Sequence, residues 1–212
     1  MFYLIPGLGA DERVFRRLRL PGPVQVLSWL PPLTLTEPLT HYAARLAEAV
    51  PIEQSCWLVG VSFGGLLALE IGRLRPLARV VLVSSLQSAA ELPPLLRLGR
   101  ATGLYRLLPF GLVARLPRLA QWFFGARGGV EYRLLCQILR DTDPVFARWA
   151  TAQLLHWQSD GVPQAIRLHG THDRLLPAQG IIDYPVQGAG HFLIVSHAAE
   201  VSRVLQKLAD VA

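Results

Sequence analysis

Cysteine is scarce in this chain: Cys56 and Cys136 are the only two among 212 residues. That argues against a disulfide framework or a cysteine-built metal site. Both thiols are expected to be buried, Cys56 in an apolar strand and Cys136 in a helical stretch. Lysine is scarcer still. Lys207 is the only one, so the formal charge of +6 is carried by arginine. The basic residues are spread along the chain with no nucleic-acid motif beside them. They describe a solvated arginine-rich surface rather than a nucleic-acid partner. No apolar run is long enough to span a bilayer. Residues 1–7 lack a basic segment, and their apolar run is broken at Pro6, unlike a secretory signal. A reducing, cytoplasmic setting is the expectation.

What is present is apolar: 51% of the residues are hydrophobic. A chain of this length buries roughly 70–75% of its unfolded surface, enough for one core without metal or disulfides. Short apolar runs at residues 2–5, 24–30, 55–61, 79–84, 164–169 and 182–186 read as buried strands. Helical patterns lie between them. Asp11 and Glu12 open one that carries Val14, Phe15 and Leu18. Residues 38–50 form another with Thr36 as its cap, and residues 63–73 and 197–208 two more. Strands alternating with helices predict an α/β fold: a mostly parallel sheet of about six strands with helices on both faces.

Residues 86–161 interrupt this alternation. Leucine, arginine and aromatic residues recur there at helical spacing, with breaks such as Pro109, Gly111, Pro117, Gly125 and Pro144. The longer helices fall near residues 130–140 and 144–157. The organisation is thus a core of residues 1–85 and 162–212, with residues 86–161 as a helical insertion. Placed above the strand ends, where sites form, its Trp122 and Phe124 are candidates to line an apolar pocket.

The candidate chemistry starts at Gly60-Val61-Ser62-Phe63-Gly64-Gly65, where a buried strand gives way to a helix. A serine on so tight a strand-to-helix turn is pushed out of the sheet as a nucleophile. It needs a base, and the base needs a carboxylate. His191, in Gly190-His191-Phe192 after the last strand, emerges on the same sheet edge as Ser62. Asp173, in the loop after the penultimate strand, is the matching acid, with Asp183 as its rival. An oxyanion would be held by two backbone amides: Phe63, directly after the nucleophile, and Leu8, in the loop Pro6-Gly7-Leu8-Gly9-Ala10. The Gly7-x-Gly9 pair also suggests a dinucleotide loop. Glu12 stands at the third glycine position and would repel a pyrophosphate.

The elbow at residues 60–65, the His169-Gly170-Thr171-His172-Asp173 segment and Gly190-His191-Phe192 together resemble the α/β-hydrolase superfamily, especially its small bacterial serine hydrolases. The order Ser62, Asp173, His191 is that of the family. The resemblance implies a helical cap after the strand at 79–84. Two features depart from it: the chain starts at what would be the third strand, and Pro6-Gly7 stands where His-Gly is common. The resemblance implies a hydrolase of carboxylic esters or thioesters with an apolar small-molecule acyl substrate and no cofactor or metal. Acyl transfer and carbon–carbon bond hydrolysis use the same residues. A non-catalytic binding protein on this scaffold is the alternative from another class. A serine nucleophile argues against dehalogenase and epoxide-hydrolase chemistry, which in this superfamily relies on aspartate.

Overall fold

The structure is a computed structural model that describes residues 1–106 and 116–211; the breaks expected at Pro109 and Gly111 lie outside the described residues. Six strands form one sheet: β1 (Phe2–Ile5), β2 (Val24–Val26), β3 (Cys56–Val61), β4 (Ala78–Val83), β5 (Ile166–Gly170) and β6 (Tyr184–Val186). Their order is β2-β1-β3-β4-β5-β6. Every neighbouring pair is parallel, from Phe2↔Val24 and Phe2↔Trp57 to Leu168↔Tyr184. The helices are α1 (Leu39–Ala47), α2 (Phe63–Leu74), α3 (Pro94–Thr102), α4 (Pro117–Phe124), α5 (Gly128–Asp141), α6 (Pro144–His156), α7 (Leu193–Ser196) and α8 (Ala198–Asp210).

Strand side chains alternate between two apolar layers, as the pleat requires. Tyr3, Ile5, Leu58, Val80 and Leu82 join α1, α2 and α6 in one layer. Phe2, Leu4, Trp57, Val59, Val81 and Val83 join α7 and α8 in the other. Buried on both faces, β3 reads as an unbroken apolar run. α2 lies deepest of the helices, with Phe63 through Gly72 all buried.

Four local expectations are corrected. The strand expected over 24–30 stops at Val26. Leu27 N–H still reaches Leu4 O at 2.9 Å, but Leu30 N–H turns to the Tyr42 hydroxyl at 2.8 Å and the Trp29 indole donates to Ala10 O. The edge strand thus leaves the sheet, and Trp29 packs on Phe63 and Phe146. The helix opened by Asp11 is only a 3-10 turn, Glu12–Phe15, capped by the Asp11 side chain. α1 has no side-chain cap: Thr36 pairs with Thr34, and the Glu37 carboxylate takes the Leu33 N–H instead. Both cysteines are free, Cys56 buried as expected and Cys136 only half-buried.

Residues 86–161 contain no strand among the described residues. Their two ends are tied to the core. The Gln87 amide exchanges hydrogen bonds with the backbone of Pro163 and Ala165, and Glu91 pairs with the buried Arg167 at 2.7 Å. At the far end the Trp157 indole donates to the buried Glu70 at 2.8 Å, and Trp149, fully buried, donates to Glu37 O. No helix of the described residues is long and apolar enough to cross a membrane.

Candidate active site

The strand order reverses direction at β1, which has β2 on one side and β3 on the other. The crevice between the ends of β1 and β3 is therefore the switch point where open parallel sheets bind ligands. The loop Pro6–Ala10 leaves one strand there and Ser62 leaves the other.

Ser62 has φ 52° and ψ −121°, a region sparsely populated by non-glycine residues. The turn exists because Gly60, Gly64 and Gly65 let the two segments touch: a Cβ on Gly60 would lie 2.5 Å from Gly65 Cα, and one on Gly64 would collide with Ile5 and Pro6. Ser62 N–H continues the sheet to Val83 O at 2.9 Å, and the Ser85 hydroxyl grips Ser62 O at 2.6 Å. A serine in this position ordinarily caps its helix. Ser62 makes no side-chain cap; its Oγ lies 2.9 Å from His191 Nε2.

His191 is 4% exposed, and its Nδ1 lies 2.8 Å from Asp173 Oδ2. An ionised carboxylate only accepts, so Nδ1 carries the hydrogen and Nε2 is left to accept from the Ser62 hydroxyl. The loop holding His191 is fixed by His172 N–H to Ala189 O and by Phe192 N–H to Phe124 O, at 2.9 and 2.8 Å. The Arg127 guanidinium also donates to Gly188 O, and the Phe124 ring meets the imidazole edge-on at 5.5 Å between centroids.

Asp173 is buried at the turn after β5. Its Oδ1 accepts from Leu175 N–H at 3.0 Å and Leu176 N–H at 2.9 Å. Burial raises its pKa, but the facing His191, the hydrogen bonds from His169 and His191, and the Leu176 amide outweigh it. The carboxyl is held well below the ordinary carboxylate range. A depressed folded-state pKa stabilises the fold fully above the unfolded value, about 3.9, and the effect is lost as pH falls through the folded one. The difference in unfolding free energy, wild type minus Asp173→Asn, is therefore expected to fall as pH is lowered from 6 to 3. Urea titrations across that range test this, and a difference independent of pH would refute an ionised Asp173. The rival, Asp183, is exposed, and its Oδ2 is occupied by Arg167 N–H at 2.8 Å.

These groups open onto a cavity of about 840 Å³ whose walls include Leu8, Phe63, Phe124, Leu135, Ile138 and Leu175. That volume lies within the range of small-molecule sites. Phe63 opens α2, so its N–H has no intrahelical acceptor. The turn at Leu8 is closed by Ala10 N–H to Gly7 O at 2.9 Å, which leaves the Leu8 N–H outside it. A Cβ on Gly7 would lie 3.4 Å from Ser62 Cβ, so this loop runs alongside the serine. Phe124 is on the cavity wall. Trp122 does not line the cavity: it is 53% exposed and lies beneath the Arg174 guanidinium, 4.6 Å from its ring centroid. One turn of α4 cannot turn both residues inward. The apolar wall contributed by α5 was missed, although Leu135, Ile138 and Leu139 stand at helical spacing. His169 lies in β5, within the strand expected there. It is buried, with its Nε2 3.2 Å from Asp173 Oδ2. A smaller cavity of about 330 Å³, walled by Trp57, Arg79 and Ile166 at the opposite end of the sheet, includes neither Ser62 nor His191.

A hydroxyl, an imidazole and a carboxylate in unbroken hydrogen-bond contact can move a proton from the first to the second while the third keeps the imidazole oriented. A profile of the "Alpha/beta hydrolase family" matches residues 2–204. No curated protein matches the chain. Among solved structures it is similar to a hydrolase from Oleispira antarctica, with 16% identity, TM-score 0.74 and coverage of 98% of this chain and 89% of that one. It is also similar to a thermophilic esterase from Thermogutta terrifontis, with 18% identity, TM-score 0.66 and coverage of 99% and 89%. A bromoperoxidase from Bacillus anthracis has 15% identity, TM-score 0.68 and coverage of 99% and 91%. Likenesses at this identity carry the fold alone.

Proposed function

The chain belongs to the α/β-hydrolase family, and we propose that within it the protein is a serine hydrolase of carboxylic esters or thioesters. The observation that carries this reading is the unbroken Ser62–His191–Asp173 chain, with links of 2.9 and 2.8 Å, opening on an apolar cavity. In the first half-reaction Ser62 Oγ attacks the carbonyl carbon and His191 Nε2 takes the hydroxyl proton. Asp173 keeps Nδ1–H in place and stabilises the imidazolium. The Leu8 and Phe63 amides hold the oxyanion. The tetrahedral intermediate collapses, the carbonyl–heteroatom bond breaks, and His191 gives its proton to the departing alcohol or thiol. Water then attacks the acyl-Ser62 carbonyl by the same relay, releasing the acid and restoring the hydroxyl. Each proton and each developing charge is handled by these five residues, so no cofactor or metal is called for. A non-catalytic binding role would leave an intact relay without a use.

Incubation with a fluorophosphonate probe should label Ser62, as located by mass spectrometry, and abolish ester turnover. A folded sample that neither labels nor hydrolyses any activated ester would refute the reading.

The helical segment acts as a cap that selects the acyl group. Each methylene buried in an apolar cavity contributes about 0.8 kcal/mol, close to fourfold in binding. Activity on p-nitrophenyl esters should therefore rise from acetyl to medium chains until the cavity is filled. Leu139→Phe, on the α5 wall, should shift the optimum to shorter chains. Trp122→Ala should leave it in place, because Trp122 faces solvent. A chain-length profile unmoved by substitutions on the α5 wall would remove the cap's role in selection.

A further inference from the structure

We propose that His169 is a positioning residue: from its buried place in β5 it donates Nε2–H toward Asp173 and holds Oδ2 turned to His191. The inference rests on Ser62, His191 and Asp173 being the reacting relay.

His169 is 2% exposed. Its Nε2 lies 2.7 Å from Leu176 O and 3.2 Å from Asp173 Oδ2. A carbonyl and an ionised carboxylate both only accept, so Nε2 must bear the hydrogen; it is donated to Leu176 O, and Asp173 Oδ2 lies beside it at 3.2 Å. Leu176 in turn donates its own N–H to Asp173 Oδ1 at 2.9 Å. The carboxylate is thus enclosed on all sides. Oδ1 faces the amides of Leu175 and Leu176, and Oδ2 faces two imidazoles, from His169 and His191. Without His169, Oδ2 keeps a single partner and the buried Leu176 carbonyl loses its donor. An unpaired buried acceptor is costly, and the 171–176 turn would relax to satisfy it. His169 is absent from the cavity wall, so it acts on the reaction only through Asp173.

The positive end of that N–H, 3.2 Å from Oδ2, also draws charge from it. A carboxylate that has lost this N–H pulls harder on His191 Nδ1–H and favours the imidazolium, which cannot serve as a base. The acid limb of the rate profile should then move to higher pH. The groups facing His191 are Asp173, Ser62 and the Phe124 ring. Of the charged or titratable neighbours on the Asp173 turn, His172 is exposed, and Arg174 is drawn away to Trp122, whose carbonyl it meets at 3.0 Å. Arg127, beside the His191 loop, donates to Gly188 O.

Two variants test this on the full chain with p-nitrophenyl butyrate. His169→Leu removes the donor, and His169→Gln places an amide N–H near the former Nε2. The leucine variant should lose roughly ten- to hundredfold in kcat, as for a hydrogen bond to a charged group. Its KM should be little changed and its acid limb should move up. The glutamine variant should recover most of kcat and the original limb. Proton NMR gives a readout independent of turnover. The low-field His191 Nδ1–H resonance should persist in the wild type and the glutamine variant and broaden or vanish in the leucine variant. A folded leucine variant with unchanged kcat, acid limb and resonance would overturn the proposal. So would equal losses in both variants with an unmoved limb, the mark of a purely structural role. If the wild type turned over no ester at all, the functional reading would fail, and the resonance alone would decide the role of His169.

Discussion

Ser62→Ala is expected to lower turnover by about 10⁶, the loss seen when comparable relays are deprived of their serine. The expectation follows from the turn. Ser62 Oγ is not spent on capping α2 and touches His191 Nε2 at 2.9 Å, so removing it removes the attacking atom and leaves the imidazole without a proton to take. The backbone bonds of the turn, Ser62 N–H to Val83 O and Gly65 N–H to Ser62 O, both at 2.9 Å, stay intact. The variant should therefore keep the wild-type circular dichroism and unfold at a similar or higher denaturant concentration. Active-site titration with the phosphonate probe checks the sample. Residual activity above a small fraction, in a preparation free of wild type, would mean that another residue is the nucleophile.

Asp173→Asn should reduce turnover by about 10⁴ by presenting His191 with the wrong tautomer. An asparagine that keeps the amides of Leu175 and Leu176 on its oxygen presents an N–H₂ to His191 Nδ1. Nδ1 must then accept, the hydrogen moves to Nε2, and the nitrogen facing Ser62 is no longer a base. Asp183→Asn should cost far less, because Asp183 is exposed and bonded to the Arg167 amide. Single-turnover kinetics on both variants would decide between the two carboxylates. A larger loss at Asp183 would overturn the assignment.

The tight turn at Ser62 was readable because two periodicities meet there, a buried run before it and a helical run after it. The parallel sheet was readable for a related reason: strands buried on both faces show as unbroken apolar runs. The shortened β2 was not readable. Leu27 to Leu30 are as apolar as a strand, and what pulls them away is the Tyr42 hydroxyl, 12 residues on. Trp122 was misread because Trp122-Phe123-Phe124 is aromatic throughout, and composition does not say which of three adjacent helical residues faces inward. That depends on the rotation of α4, which is fixed by packing. His169 lies in a strand, as its sequence suggests, but a strand position does not disclose its neighbour. Only the turn that folds Asp173 back over the strand end brings the two together.

The pairing of β4 with β5, Val81 to Ile166, has a consequence for how the protein is made. Everything from β1 through β4 is continuous in sequence and pairs within the first 83 residues. The turn at Ser62 can therefore assemble early, on a sheet of four strands. Asp173 and His191 arrive only beyond β5, after residues 84–165 have been made and their ends brought together. Closing so long a loop costs only slightly more entropy than closing a shorter one, but it slows the search for the right partner. A chain emerging from the ribosome would carry its serine, without a base, for the whole time needed to make those residues. The proposed relay is complete only once the segments beyond β5 have been made and have joined the sheet.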